Sequence, residues 1–174
     1  MTWTAPEAPR SSQLLVGDER AMLHSLLTRG REILLWKCQG LTGAQLATRS
    51  VEPSTLSLLG LLRHMTEVER IWFRKRAAGE RLGYLYSTGP GQDGDFAGTV
   101  PEDAEADHAR FLAEIVLADK AIADLPLDHL ATHPRSGTEI SLRWIYLHMI
   151  EEYGRHNGHA DLLRERVDGA TGYQ

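Results

Sequence analysis

The chain has 174 residues and a mass of 19.4 kDa, with 42% apolar and 25% charged residues. These are globular proportions, and they exclude a disordered chain, a collagen repeat and a coiled coil. A single cysteine, Cys38, excludes an intramolecular disulfide, and a net charge of −5 with a pI near 5.9 excludes the dense basic face that nucleic acid or an anionic membrane requires.

The opening MTWTAPEAPRSSQ has no basic patch followed by an apolar run, and no stretch approaches the ~18 apolar residues of a membrane helix. The expectation is a soluble, cytoplasmic protein with no nucleic-acid and no membrane partner. One domain over residues 1–174 is expected, with 1–17 as an extended N-terminal arm.

Four segments show helical spacing of apolar residues, separated by Gly, Pro or Ser/Thr punctuation. The first runs from Asp18 to Gln39, with Met22, Leu23, Leu26, Leu27, Ile33 and Leu34 on one side and Gly40 as its stop. The second opens after Pro53, at Ser54 or Ser57, and continues to Ala78 before Gly79. Residues 83–100, rich in glycine and aromatics, form a long loop that packs back on the helices. The third helix starts near Pro101, where Glu102, Asp103 and Glu105 suit the positive end of the dipole, and ends by Leu125 and Pro126. A second loop, 126–140, leads to Ser141 as N-cap of the fourth helix, which extends to Arg166 before Asp168 and Gly169. No segment alternates as a strand does over more than a few residues. The fold class is therefore all-α, a four-helix bundle with long connecting loops.

At about 100° per residue, His148, Glu152, His156 and His159 share one face of the fourth helix. Trp144, Ile145, Leu162 and Leu163 lie on the same arc, so this ionisable stripe is expected to point into the core. A buried carboxylate needs a cation, a proton or a set of donors, and a metal ion satisfies Glu152 together with the imidazoles. In the second helix His64 falls within the stripe of Leu61, Val68, Ile71 and Trp72, and it too faces inward. Facing helices in a bundle build metal sites from such residues. The natural set is His64, Glu152 and His156, with His148 as the rival ligand. Imidazole and carboxylate donors suit Zn²⁺, and two histidines with one carboxylate also suit Fe²⁺. His159 is open to three roles: a partner of a ligand, a substrate contact or a general base.

The remaining candidates are blander. His24 is placed opposite the apolar face, in solvent. His108 is placed to line the pocket, while His129 and His133 are read as turn and surface residues. Arg63, Arg70, Arg74 and Arg76, interleaved with Glu67 and Glu69, read as a solvated face. Cys38 ends the first helix on a less apolar flank with no histidine at a useful spacing, so it is not read as a nucleophile. No phosphate loop, dinucleotide fingerprint or Gly-x-Ser-x-Gly turn is present.

Together, SLLGLLRHMTEVERIWF and SLRWIYLHMIEEYGRHNGHADLLRE resemble the DinB-like superfamily over nearly the whole chain, in an actinobacterial branch related to the mycothiol-dependent maleylpyruvate isomerases and thiol S-transferases. The resemblance implies a bundle, commonly a homodimer, that holds a divalent metal, often zinc or nickel. Most of the superfamily use three histidines. This sequence departs from that pattern with Glu152 and is similar to the isomerase branch, which implies His64, Glu152 and His156 as ligands. It also implies a metal-dependent transferase or isomerase, with mycothiol or another low-molecular-weight thiol bound as thiolate and an electrophilic co-substrate. His159 and Arg155 would handle a proton or an anionic substrate group. The alternatives are a non-catalytic metal-binding stress-response protein and a metal-assisted hydrolase.

Overall fold

The computed structural model describes residues 2–87 and 94–172. Its helices are α1 (Glu19–Cys38), α2 (Gly43–Leu46), α3 (Leu58–Glu69), α4 (Gly94–Ala97), α5 (Ala104–Ile122) and α6 (Leu142–Asp168). A π-helical segment, Arg70–Ala77, extends α3, and a 3₁₀ turn, Pro101–Asp103, leads into α5. The architecture is the all-α bundle expected from the spacing, with α1, α3, α5 and α6 as its long members. Among the described residues no helix is long and apolar enough to cross a membrane.

The helix ends follow local chemistry. The side chains of Asp18, Ser57 and Ser141 accept from Ala21 N, Gly60 N and Trp144 N, capping α1, α3 and α6. Gly169 closes α6 at φ +78°, a left-handed conformation that glycine adopts without steric penalty. The α2 turn is set by a capping box between Thr42 and Gln45.

In α3, every residue from Leu58 to Glu69 is buried except His64. This helix is the centre of the molecule, wrapped by α1, α5 and α6, and His64 is its outlet to the surface. On α6 the buried residues are Leu142, Ile145, Tyr146, Met149, Tyr153, His156, Asn157, Ala160 and Leu163. The ionisable stripe therefore lies on the shoulder of the buried face rather than within it. Of its members only His156 is buried, and Trp144 and Leu162, expected inside, are 38% and 57% exposed.

Several expectations are corrected. The 126–140 loop contains a two-stranded antiparallel hairpin, β1 (Leu130–Thr132) and β2 (Glu139–Ser141), registered Leu130 to Ser141. Three residues per strand are too few to show alternation. Arg70 and Arg74 do not form a solvated face: both pair with the buried Glu114 of α5, at 3.2 and 2.9 Å, and Arg63 is itself buried. Cys38 sits fully inside the core, where burial pushes its thiol up to about 12. His24 lies edge-on to the Tyr146 ring, with centroids 6.5 Å apart. Of the long 83–100 loop, residues 88–93 lie outside the described ones.

Candidate metal centre

Three donors converge where α3 meets α6. One ligand atom each from His64, Glu152 and His156 lies within 4.8 Å of the others, and no other such group of histidine, cysteine or acidic residues occurs among the described residues. The i,i+4 spacing on α6 brings His156 Nε2 to 3.3 Å from Glu152 Oε2. The His64 ring meets the His156 ring edge-on from the neighbouring helix, with centroids 4.6 Å apart. The group is half-buried at the rim of the core, with side-chain exposures of 23%, 13% and 10% for His64, Glu152 and His156. A ligand from solvent has a path to it.

Both imidazoles are engaged at Nδ1. The His64 Nδ1 lies 2.6 Å from Asp95 Oδ2, and the His156 Nδ1 lies 3.4 Å from the Nδ1 of His159. That leaves Nε2 on each ring for the shared centre, which is how metal-binding histidines are held in proteins. The hydrogen bond from His156 holds the Glu152 carboxyl below its usual range, helped by Arg155 at 3.4 Å. A carboxylate that stays ionised beside two imidazoles is a donor set that fits a divalent cation.

The other members of the stripe serve differently. His148 Nε2 is 3.6 Å from Glu152 Oε1, but its ring is packed into an aromatic cluster, stacked on Trp144 at 5.0 Å and edge-on to Trp72 at 4.5 Å. It does not join the converging group. Burial lowers the pKa of His148 and of His159. His133, placed on the surface by the sequence reading, reaches the same cluster, 5.9 Å from Trp72 and 5.8 Å from Trp144. His129 Nε2 is bonded to the Ala77 carbonyl oxygen at 3.0 Å, so it fastens the hairpin to the π-helical segment. His108 is buried edge-on to Trp3, away from the centre. Arg155 is half exposed and paired with Glu151 and Glu152.

The Asn157 amide nitrogen, three residues before the Ala160 of the core, donates to the Gly30 carbonyl at 2.9 Å and ties α6 to α1. Asp95 was missed altogether. It sits on the four-residue α4, inside the 83–100 stretch that the sequence presents as a loop, and its GDF context carries no periodic or motif signal.

No curated protein and no solved structure matches the chain. A family model does: the one described as mycothiol S-transferase aligns with residues 22–169, from early α1 through the cap of α6 and across both ligand-bearing helices. On that match, and with the helical bundle and the His64, Glu152 and His156 cluster that accompany it, the chain belongs to the mycothiol S-transferase family.

Proposed function

We propose that the chain is a metal-dependent S-transferase in which a low-molecular-weight thiol, mycothiol, attacks a small electrophile, and that it works as a cytoplasmic homodimer. The convergence of His64, Glu152 and His156 carries this reading. Those three residues would hold the ion, zinc by donor set, with nickel or ferrous iron as substitutes. Once bound, the cation supplies Lewis acidity that lowers the pKa of the thiol.

The chain's own groups do the rest. His159, whose Nδ1 accepts from His156 Nδ1–H when His156 Nε2 is the ligand, would present its Nε2–H to the bound thiolate or to an anionic substrate group, and the thiol proton leaves to solvent. Arg155, half exposed at the rim, would orient an anionic group of a substrate. The cluster of Trp72, Trp144, His133 and His148 flanks Glu152 and supplies an apolar wall for the electrophile. An isomerase would use the same groups, with the thiol adding to the substrate and leaving again.

Zinc-loaded protein is expected to consume mycothiol in the presence of an electrophile, followed by loss of free thiol. Glu152→Ala and His156→Ala should each abolish zinc content and turnover together. Turnover that survives complete chelation defeats the mechanism. A second reading, an ion that only ties helices together, is favoured by the ligands bridging α3 and α6. It predicts a closed coordination sphere and no thiol consumption, and a screen of hydrolysable esters and amides separates both from a hydrolase. Light scattering reads the dimer.

A further inference from the structure

The described residues on either side of 88–93, 83–87 and 94–100, are tied to the bundle by side chains of α3, the π-helical segment and α5, Arg70 among them, which donates to the Gly83 carbonyl at 3.1 Å. Glu67 accepts from the backbone N–H groups of Leu85 and Tyr86 at 2.8 and 3.0 Å. The Tyr86 hydroxyl donates to Asp107 at 2.9 Å. Arg63 donates to the carbonyls of Gly94 and Gly98, at 3.1 and 2.5 Å, and so grips both ends of α4. Gly60, one turn earlier, lets Phe96 down onto the helix: a Cβ there would lie 2.9 Å from the Phe96 ring.

What this strap delivers is a grip on one imidazole. Asp95 is 8% exposed, and its Oδ2 meets His64 Nδ1 at 2.6 Å while Oδ1 accepts from Phe96 N at 3.2 Å. Phe96 stacks on the same ring, with centroids 5.1 Å apart and planes 27° from parallel. The ring is thus fixed from its edge by a carboxylate and from its face by an aromatic. With the carboxylate as acceptor Nδ1 is the donor, and in the neutral ring the lone pair then sits on Nε2.

We infer that Asp95 is a positioning residue: it holds His64 in the Nδ1–H tautomer and aims the Nε2 lone pair at Glu152 and His156. Its consequence for an ion rests on the metal-dependent reading above, whereas the tautomer does not. Without Asp95 the Nε2–H form, which offers no lone pair on that side, is no longer excluded.

Two measurements test it on the full-length protein. In metal-free protein at pH 8, imidazole ¹⁵N shifts are expected to show His64 protonated at Nδ1. Asp95→Ala should move it toward Nε2–H, and Asp95→Asn, whose amide oxygen still accepts, should keep the wild-type form. Zinc affinity, measured by competition with a chromogenic chelator, should fall about 10–100-fold in Asp95→Ala and largely recover in Asp95→Asn. An Nε2–H tautomer in the wild type overturns the proposal without any variant, which covers an alanine variant that fails to fold. So does an alanine variant that folds and keeps both tautomer and affinity. If the wild type binds no zinc, the metal-dependent reading fails, and the nitrogen shifts still decide the role of Asp95.

Discussion

Two glycines on packed helices respond to the same substitution in opposite directions. At Gly30 of α1 an added Cβ would lie 2.7 Å from the Cβ of Tyr153, so Gly30→Ala must push α6 away and should destabilise the fold by about 1–3 kcal/mol. Gly154, the next residue of α6, has nothing within 4 Å of that position. Gly154→Ala should therefore stabilise by about 1 kcal/mol through helix propensity alone. Urea denaturation of the two variants reads both signs. His108 sets a pH dependence of its own. Burial lowers its pKa, so below about 6.5 the unfolded chain takes up a proton that the folded chain resists, and stability falls with falling pH. His108→Phe keeps a ring against Trp3 and should reduce the loss in Tm between pH 7.5 and 5.5 relative to wild type. The ligand candidates were legible at this scale because helical spacing is a sequence property. Asp95 was not, since it meets His64 across 31 positions from a four-residue helix too short to show periodicity.

A buried charged network crosses the apolar core and links the long helices. Arg31 of α1 makes a two-point contact with Glu69 of α3 at 2.7 Å and a further one with Asp119 of α5 at 2.9 Å. The Tyr153 hydroxyl of α6 donates to the same Glu69 at 2.8 Å. Arg31, Glu69 and Tyr153 are all buried, so removal of one partner strands a charge. Glu69→Ala should cost about 3–5 kcal/mol, measured by denaturant unfolding, whereas replacing Arg31 and Glu69 together by Met and Leu should cost much less. The helix boundaries were readable from caps and stops such as Ser57, Ser141 and Gly169. The charge network was not, because residues that look like a solvated edge on one helix become buried when a second helix supplies their partners. The same reason turned Arg70 and Arg74 inward onto Glu114.

The whole molecule is divided between α3 and α6 at the candidate centre, so an ion there would tie the middle of the bundle to its longest helix. Zinc in 100-fold excess over its dissociation constant should add about 2.7 kcal/mol of stability. Chelation should lower Tm correspondingly in the wild type and leave His64→Ala unchanged; calorimetry with and without chelator makes the comparison. A wild-type Tm indifferent to zinc would remove the ion from the account.

Periodicity, capping residues and the spacing of His148, Glu152, His156 and His159 were sufficient for an all-α bundle and for a short set of ligand candidates, because a helix converts sequence interval directly into direction. Depth and partnership needed the tertiary structure. Whether a stripe lies in the core or on its shoulder depends on which neighbours cover it, and α3 and α1 leave His64 and Glu152 at the rim. Which nitrogen of an imidazole looks toward an ion depends on what grips the other one, and here that residue arrives from the short α4. Interval along the chain carries no information about either.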